Sequence, residues 1–243
     1  MDSLLSDKTG IKTLSDVLKE AQMIQDDMLA QQTHTKKEIT DIAIKKIPYV
    51  AYPGISEAEC LRIREFAILL LQTAKDENNH NEVTLTYSLE HLQLKNGLPY
   101  SIVMGDEHST DLMADPDTYH IINTSKNNVI VNMHNHPSGY PFSIYDIPFF
   151  LQYDSIKLMV LLDNQGKISY MNKNDEYSRR DSILFFQKCI KETIPFAIKD
   201  KGIDMSNVSS KQMLSISKQF CKNASTLGID YKFSAKDKER SRR

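Results

Sequence analysis

A chain of 243 residues can hold one large domain, or a core domain with an appendage. Its apolar and charged fractions, 40% and 26%, are those of an ordinary globular protein. The formal net charge of -2 excludes any global pull toward nucleic acid or an anionic membrane. The longest apolar run, at residues 66–71, is far shorter than the roughly 18 residues of a membrane span. The first residues are acidic and polar, unlike a secretory signal. Cys60, Cys189 and Cys221 are odd in number and far apart, which argues against a disulfide framework. These features together place the expected location in the cytoplasm, with no membrane partner.

In chain order, residues 10–46 carry Leu14, Val17, Leu18, Ala21, Ile24 and Met28 at three-and-four spacing, predicting an amphipathic helix. Pro48 and Pro53-Gly54 end it. Ser56 and Glu59 then form a capping-box pattern ahead of a helix rich in Leu, Ile and Phe. That helix runs out at residues 75–79. From residue 83 the period changes to two: Val83, Leu85 and Tyr87 alternate with Thr84 and Thr86, as in a half-buried strand. Asn96-Gly97 signals a turn, and residues 100–104 read as the next strand, ended by Gly105. Residues 109–113 could pair back, and Asp115-Pro116-Asp117 opens a loop or short helix.

The apolar run 129–133 predicts a further strand. Residues 147–151 fit one or two helical turns. A buried strand follows at 157–162, with a hairpin turn at 164–167 and a return strand through Ile168, Tyr170 and Asn172. Helices are expected at 177–191 and about 209–223. The sum is an α+β protein: a central mixed sheet over about residues 83–173, with helices from both ends around it. The domains expected are a helical N-terminal extension at 1–78, a core at 79–173, a helical C-terminal extension at 174–234 and a charged tail at 235–243.

The chemistry concentrates in one stretch. His134 and His136 stand two apart at the end of a strand, so both imidazoles point to one face. Pro137 and Gly139 turn the chain, and Ser143 and Asp146 follow at the three-residue spacing that shares a helix face. Two imidazoles and a carboxylate make a three-ligand set with an open fourth position, the arrangement catalytic zinc requires. Each residue also has a plainer reading. Asp146 suits a helix N-terminus by charge, and Ser143 suits a helix cap. Together with the histidine pair they favour Zn2+.

His134-Asn135-His136-Pro137, with Ser143 and Asp146 after it, resembles the JAMM motif of the JAB/MPN metallo-isopeptidases. The wording His-Asn-His-Pro-Ser-Gly is closest to RadC-like proteins and to JAB-like domains of phage and mobile elements. The resemblance covers about residues 83–173. It implies a zinc site in a strand-turn-helix, with His134, His136 and Asp146 as ligands and Ser143 as a hydrogen-bonding catalytic group. It implies hydrolysis of a peptide or isopeptide bond in a peptide or protein substrate, ubiquitin-like or of cell-wall or phage origin. It also leaves open a non-catalytic JAB-like scaffold module and a RadC-like DNA-associated role; the near-neutral charge and lack of a basic patch argue against DNA.

Two departures stand out. The segment from His136 to Ser143 is one residue shorter than in most such motifs. The family also places a general-base Glu a few residues before a glycine that ends the domain's first strand. If Gly105 is that glycine, the position falls near Tyr100 or Ser101, where no carboxylate stands. Glu107 is then the leading candidate for the base, followed by Glu90 and Glu82.

Overall fold

The computed structural model describes residues 36–94, 96–195, 198–199, 202–203 and 208–233. Residues 10–35 of the expected N-terminal helix, and the charged tail, lie outside the described residues. Contacts divide the chain into two compact units. One holds the described parts of His34–Pro141, Tyr153–Tyr177 and Ala224–Arg243, and the other those of Phe142–Gln152 and Ser178–Asn223.

The first unit is built on a six-stranded mixed sheet. Its strands are β1 (Val83–Ser88), β2 (Tyr100–Met104), β3 (Ile130–His136), β4 (Ile156–Asp163), β5 (Ile168–Lys173) and β8 (Ile229–Lys232), in the order β2-β1-β3-β4-β5-β8. Only β3 and β4 run parallel; every other neighbouring pair is antiparallel. The same unit carries helices α1 (Asp41–Lys45), α2 (Glu57–Asp76) and α3 (Pro116–Thr124). The chemistry of each helix start is visible in its sequence. Ser56 Oγ accepts from Glu59 N–H at the head of α2, and Asp115 accepts from Thr118 N–H ahead of Pro116, which fills the first-turn position that lacks a partner anyway.

One face of this sheet is apolar. Val83, Leu85, Tyr87, Val131, Met133, Leu158, Val160 and Leu162 are buried with Ile63, Ala67, Leu70 and Leu71 of α2 and with Ile39, Ile44 and Ile47 from the segment before it. Phe66 sets its ring edge against Tyr87 and Tyr100 at 4.8 and 5.1 Å. The hairpin between β4 and β5 turns at Gly166, whose φ of +75° suits a residue without a Cβ; any Cβ there would meet Ala43 O at 2.4 Å.

Three features differ from the sequence reading. The β1 strand is buried on both faces, with Thr84 and Thr86 each 1% exposed, because its second face is covered rather than solvated. Residues 109–113 form no strand. The chain instead tightens after Gly105, where Asp106 Oδ1 accepts from His108 and Ser109 N–H and Asp106 N–H returns to Ser109 O. The edge strand β8 lies in a stretch read as helical; with only four residues, it carries too short a pattern to show a period of two.

The second unit contains α4 (Asp146–Gln152), α5 (Arg179–Thr193), α6 (Ser210–Asn223) and an antiparallel pair of two-residue strands, β6 (Ile198–Lys199) and β7 (Gly202–Ile203). The latter two helices pack together through Phe186 and Phe220, whose rings meet edge to face at 5.7 Å. Cys60, Cys189 and Cys221 are all buried. Burial pushes the Cys189 thiol up to about 11, as expected of a packing residue rather than a nucleophile. Among the described residues, no helix is long and apolar enough to cross a membrane.

Candidate metal centre

Strand β3 sits between β1 and β4 in the middle of the sheet, and its seven residues are all buried. Alternation sends Val131, Met133 and Asn135 to the apolar side and Asn132, His134 and His136 to the other. His134 and His136 are 4% and 9% exposed, and their ring centroids lie 4.9 Å apart. The Nδ1 of His136 lies 3.1 Å from Tyr140 O. A carbonyl can only accept, so Nδ1 carries the proton and Nε2 is left as the ligating nitrogen. This is how a metal-binding imidazole is normally oriented.

At the start of α4, Ser143 and Asp146 form a reciprocal pair. Ser143 Oγ accepts from Tyr145 and Asp146 N–H at 3.1 Å each, and Ser143 N–H donates to Asp146 Oδ2 at 2.5 Å. Ser143 is therefore a helix cap, and the same geometry fixes the Asp146 carboxylate. A hydroxyl has one donor hydrogen besides its acceptor lone pairs, so Ser143 can cap the helix and still donate outward.

His134, His136 and Asp146 form a group able to hold a metal ion, with one ligand atom from each and all three atoms within 4.8 Å of one another. Tetrahedral ligands at zinc distances stand roughly 3.4 Å apart. The donor set fits a divalent transition metal but does not name one, because two imidazoles and a carboxylate also serve iron(II).

The three carboxylates considered from sequence fall in different places. Glu107 sits in the exposed turn after β2, with a side chain 52% exposed and 4.0 Å from His108. Glu90 lies past the far end of β1, where Ser88 pairs with Ile130, and bonds Lys126 at 2.7 Å. Six residues of extended strand separate that end from His136, about 20 Å. Glu82 stands apart from both. It is 7% exposed at the head of β1, where Thr84 pairs with His134. Glu82 stands two residues before Thr84, just outside the paired stretch of β1. Thr110 Oγ1 lies 2.8 Å from Thr84 Oγ1 and donates to Glu82 Oε1 at 3.4 Å, so Glu82 and Thr84 share the histidine face. Gly105, which anchored the expected spacing, follows the second strand and not the first; its N–H donates to Glu82 O. Counting back from it leads to Tyr100 and Ser101, while Glu82, ranked behind Glu107 and Glu90 from sequence, lies ahead of the first strand. The chain was compared with protein-family models, with curated proteins and with solved structures, and it matches none of them.

Proposed function

We propose that this chain is a zinc-dependent hydrolase of the JAB/MPN kind, cleaving a peptide or isopeptide bond with His134, His136 and Asp146 as ligands and Glu82 as general base. The observation that carries the reading is a buried carboxylate, Glu82, on the sheet face that carries the histidines, together with a three-donor group able to hold a metal. Held by His134, His136 and Asp146, a zinc ion would supply a water with its pKa lowered to about 7 and a Lewis acid for a carbonyl. Glu82 takes the proton from the attacking water as the carbon–oxygen bond forms. Ser143, donating its hydroxyl hydrogen, steadies the oxygen that gains charge as the carbonyl becomes tetrahedral. Glu82 then delivers the proton to the leaving amine as the carbon–nitrogen bond breaks.

The main ground for a non-catalytic module was a missing carboxylate, and Glu82 supplies one. Cys60 and Cys189, buried and outside any disulfide, suit a reducing compartment, the cytoplasm. The test is metal analysis of protein purified without chelator, followed by assay on fluorogenic peptides and Nε-acyl-lysine isopeptides. About one zinc per chain is expected, lost in the His134→Ala, His136→Ala double variant. Iron in its place, or no metal, overturns the reading.

A further inference from the structure

Between the two histidines stands Asn135, and strand alternation turns its side chain away from them, to the opposite face of the sheet. It is fully buried, and both ends of its amide are used. Oδ1 accepts from Val83 N–H at 2.8 Å, and Nδ2 donates to Asn81 O at 3.1 Å and to Asn164 Oδ1 at 2.8 Å. Asn81 and Val83 are the residues on either side of Glu82. The amide therefore grips the chain just before and just after the proposed base.

This grip falls where the regular ladder stops. Thr84 is the last residue of β1 in register with β3, and beyond it the Asn135 side chain takes the place of backbone pairing. On the other side, Glu82 N–H donates to Asp106 O, while Glu82 O accepts from Gly105 N–H and from Asn78 Nδ2. Asn164, also fully buried, donates to Lys37 O at 2.7 Å and to His80 O at 3.0 Å. With its amide nitrogen so engaged, Asn164 must turn its oxygen to Asn135, which in turn fixes which end of Asn135 meets Val83.

We propose that Asn135, oriented by Asn164, is a positioning residue that sets the separation between Glu82 and the metal ligands. It ties the carboxylate-bearing strand to the histidine strand from behind, without touching the reacting atoms. This rests on the hydrolase reading above, with Glu82 as base. Without Asn135, Glu82 would be held from the β2 side and, two residues back, through His80 O by Asn164, with no ladder pairing to β3 beyond Thr84. A misplacement of about an ångström at a reacting group typically costs about 100-fold in rate.

The experiment compares the full chain, Asn135→Ala, Glu82→Gln and the double variant, each loaded with cobalt(II). The visible spectrum of the ion responds to hydrogen bonding around it and needs no substrate. Asn135→Ala should keep one cobalt per chain with affinity within about tenfold, as for groups outside the ligand set, and move the spectrum toward that of Glu82→Gln. The double variant should match Glu82→Gln alone. On Nε-acyl-lysine isopeptides, kcat should fall about 10- to 100-fold in Asn135→Ala with KM within about twofold, and should fall no further in the Glu82→Gln background. A wild-type spectrum in Asn135→Ala, or effects that add, overturns the positioning role while leaving the hydrolase reading intact. A wild-type spectrum and rate in Glu82→Gln, or a native chain that takes up no cobalt, overturns the hydrolase reading itself. If Asn135→Ala fails to fold, Asn164→Ala should move the spectrum in the same direction by less, and no movement overturns the proposal.

Discussion

The two faces of the same sheet solve burial in opposite ways. On one, Leu85, Met133 and Val160 lie against α2 with no polar atom to satisfy. On the other, Ser101, Thr86 and Asn132 run across the sheet in one row, and Thr84 and His134 lie in the next. These polar side chains are as deeply buried as the apolar ones, with Thr84, Thr86 and Asn132 each 1% exposed. Burying a polar group without a partner is costly, and here partners lie in adjacent strands or the next loop. Asn132 Nδ2 donates to Thr86 Oγ1 at 2.9 Å, and Ser101 Oγ lies 2.8 Å from Thr118 Oγ1. An alternating strand usually signals one dry face and one wet face. Where the polar face is dry as well, its rows can hold converging imidazoles and carboxylates away from bulk water.

That contrast can be broken at either face. The largest effect is expected from Glu82→Gln, which should lower kcat about 100- to 10,000-fold, the usual worth of general acid–base catalysis. Metal content and melting temperature should stay near wild type, since glutamine keeps the size of the side chain. Next, Leu85→Ala on the apolar face should cost about 2–5 kcal/mol in urea unfolding, with metal content of the folded fraction unchanged. An equal loss of metal from Leu85→Ala would mean that the two faces do not act independently.

Smaller changes sharpen the comparison. Thr86→Val keeps shape but leaves the Asn132 amide without its acceptor, an expected cost of about 1–3 kcal/mol by urea melt; adding Asn132→Leu should recover much of it. Asp115→Ala should cost about 1 kcal/mol by removing the cap of α3. Burial pushes the Asp115 carboxyl up, but hydrogen bonds from Thr118 and Ser101 outweigh it and hold it below the ordinary value. A group depressed in the folded state stabilises the fold above its unfolded pKa and loses that contribution as the pH falls through the folded one. The deficit of Asp115→Ala should therefore be full near pH 7 and shrink below about pH 4.

Much of this was open to reading along the chain, because it depends on neighbours. The Ser56–Glu59 cap, the turn at Gly166, the strand at Tyr100–Met104 and the His-x-His followed by Ser-x-x-Asp all rest on contacts a few residues apart. Local spacing sufficed to nominate His134, His136 and Asp146 as one group. It could not decide what surrounds them. The pairing of Thr84 with His134, which sets the histidine face beside the head of β1, joins strands about fifty residues apart, as does the bond from Val83 to Asn135. Asn135 and Asn164 find each other across 29 residues. Strand order and register follow from burying whole faces together, so only the tertiary structure could bring Glu82, Thr84 and His134 to one face and join Asn135 to the chain on either side of Glu82.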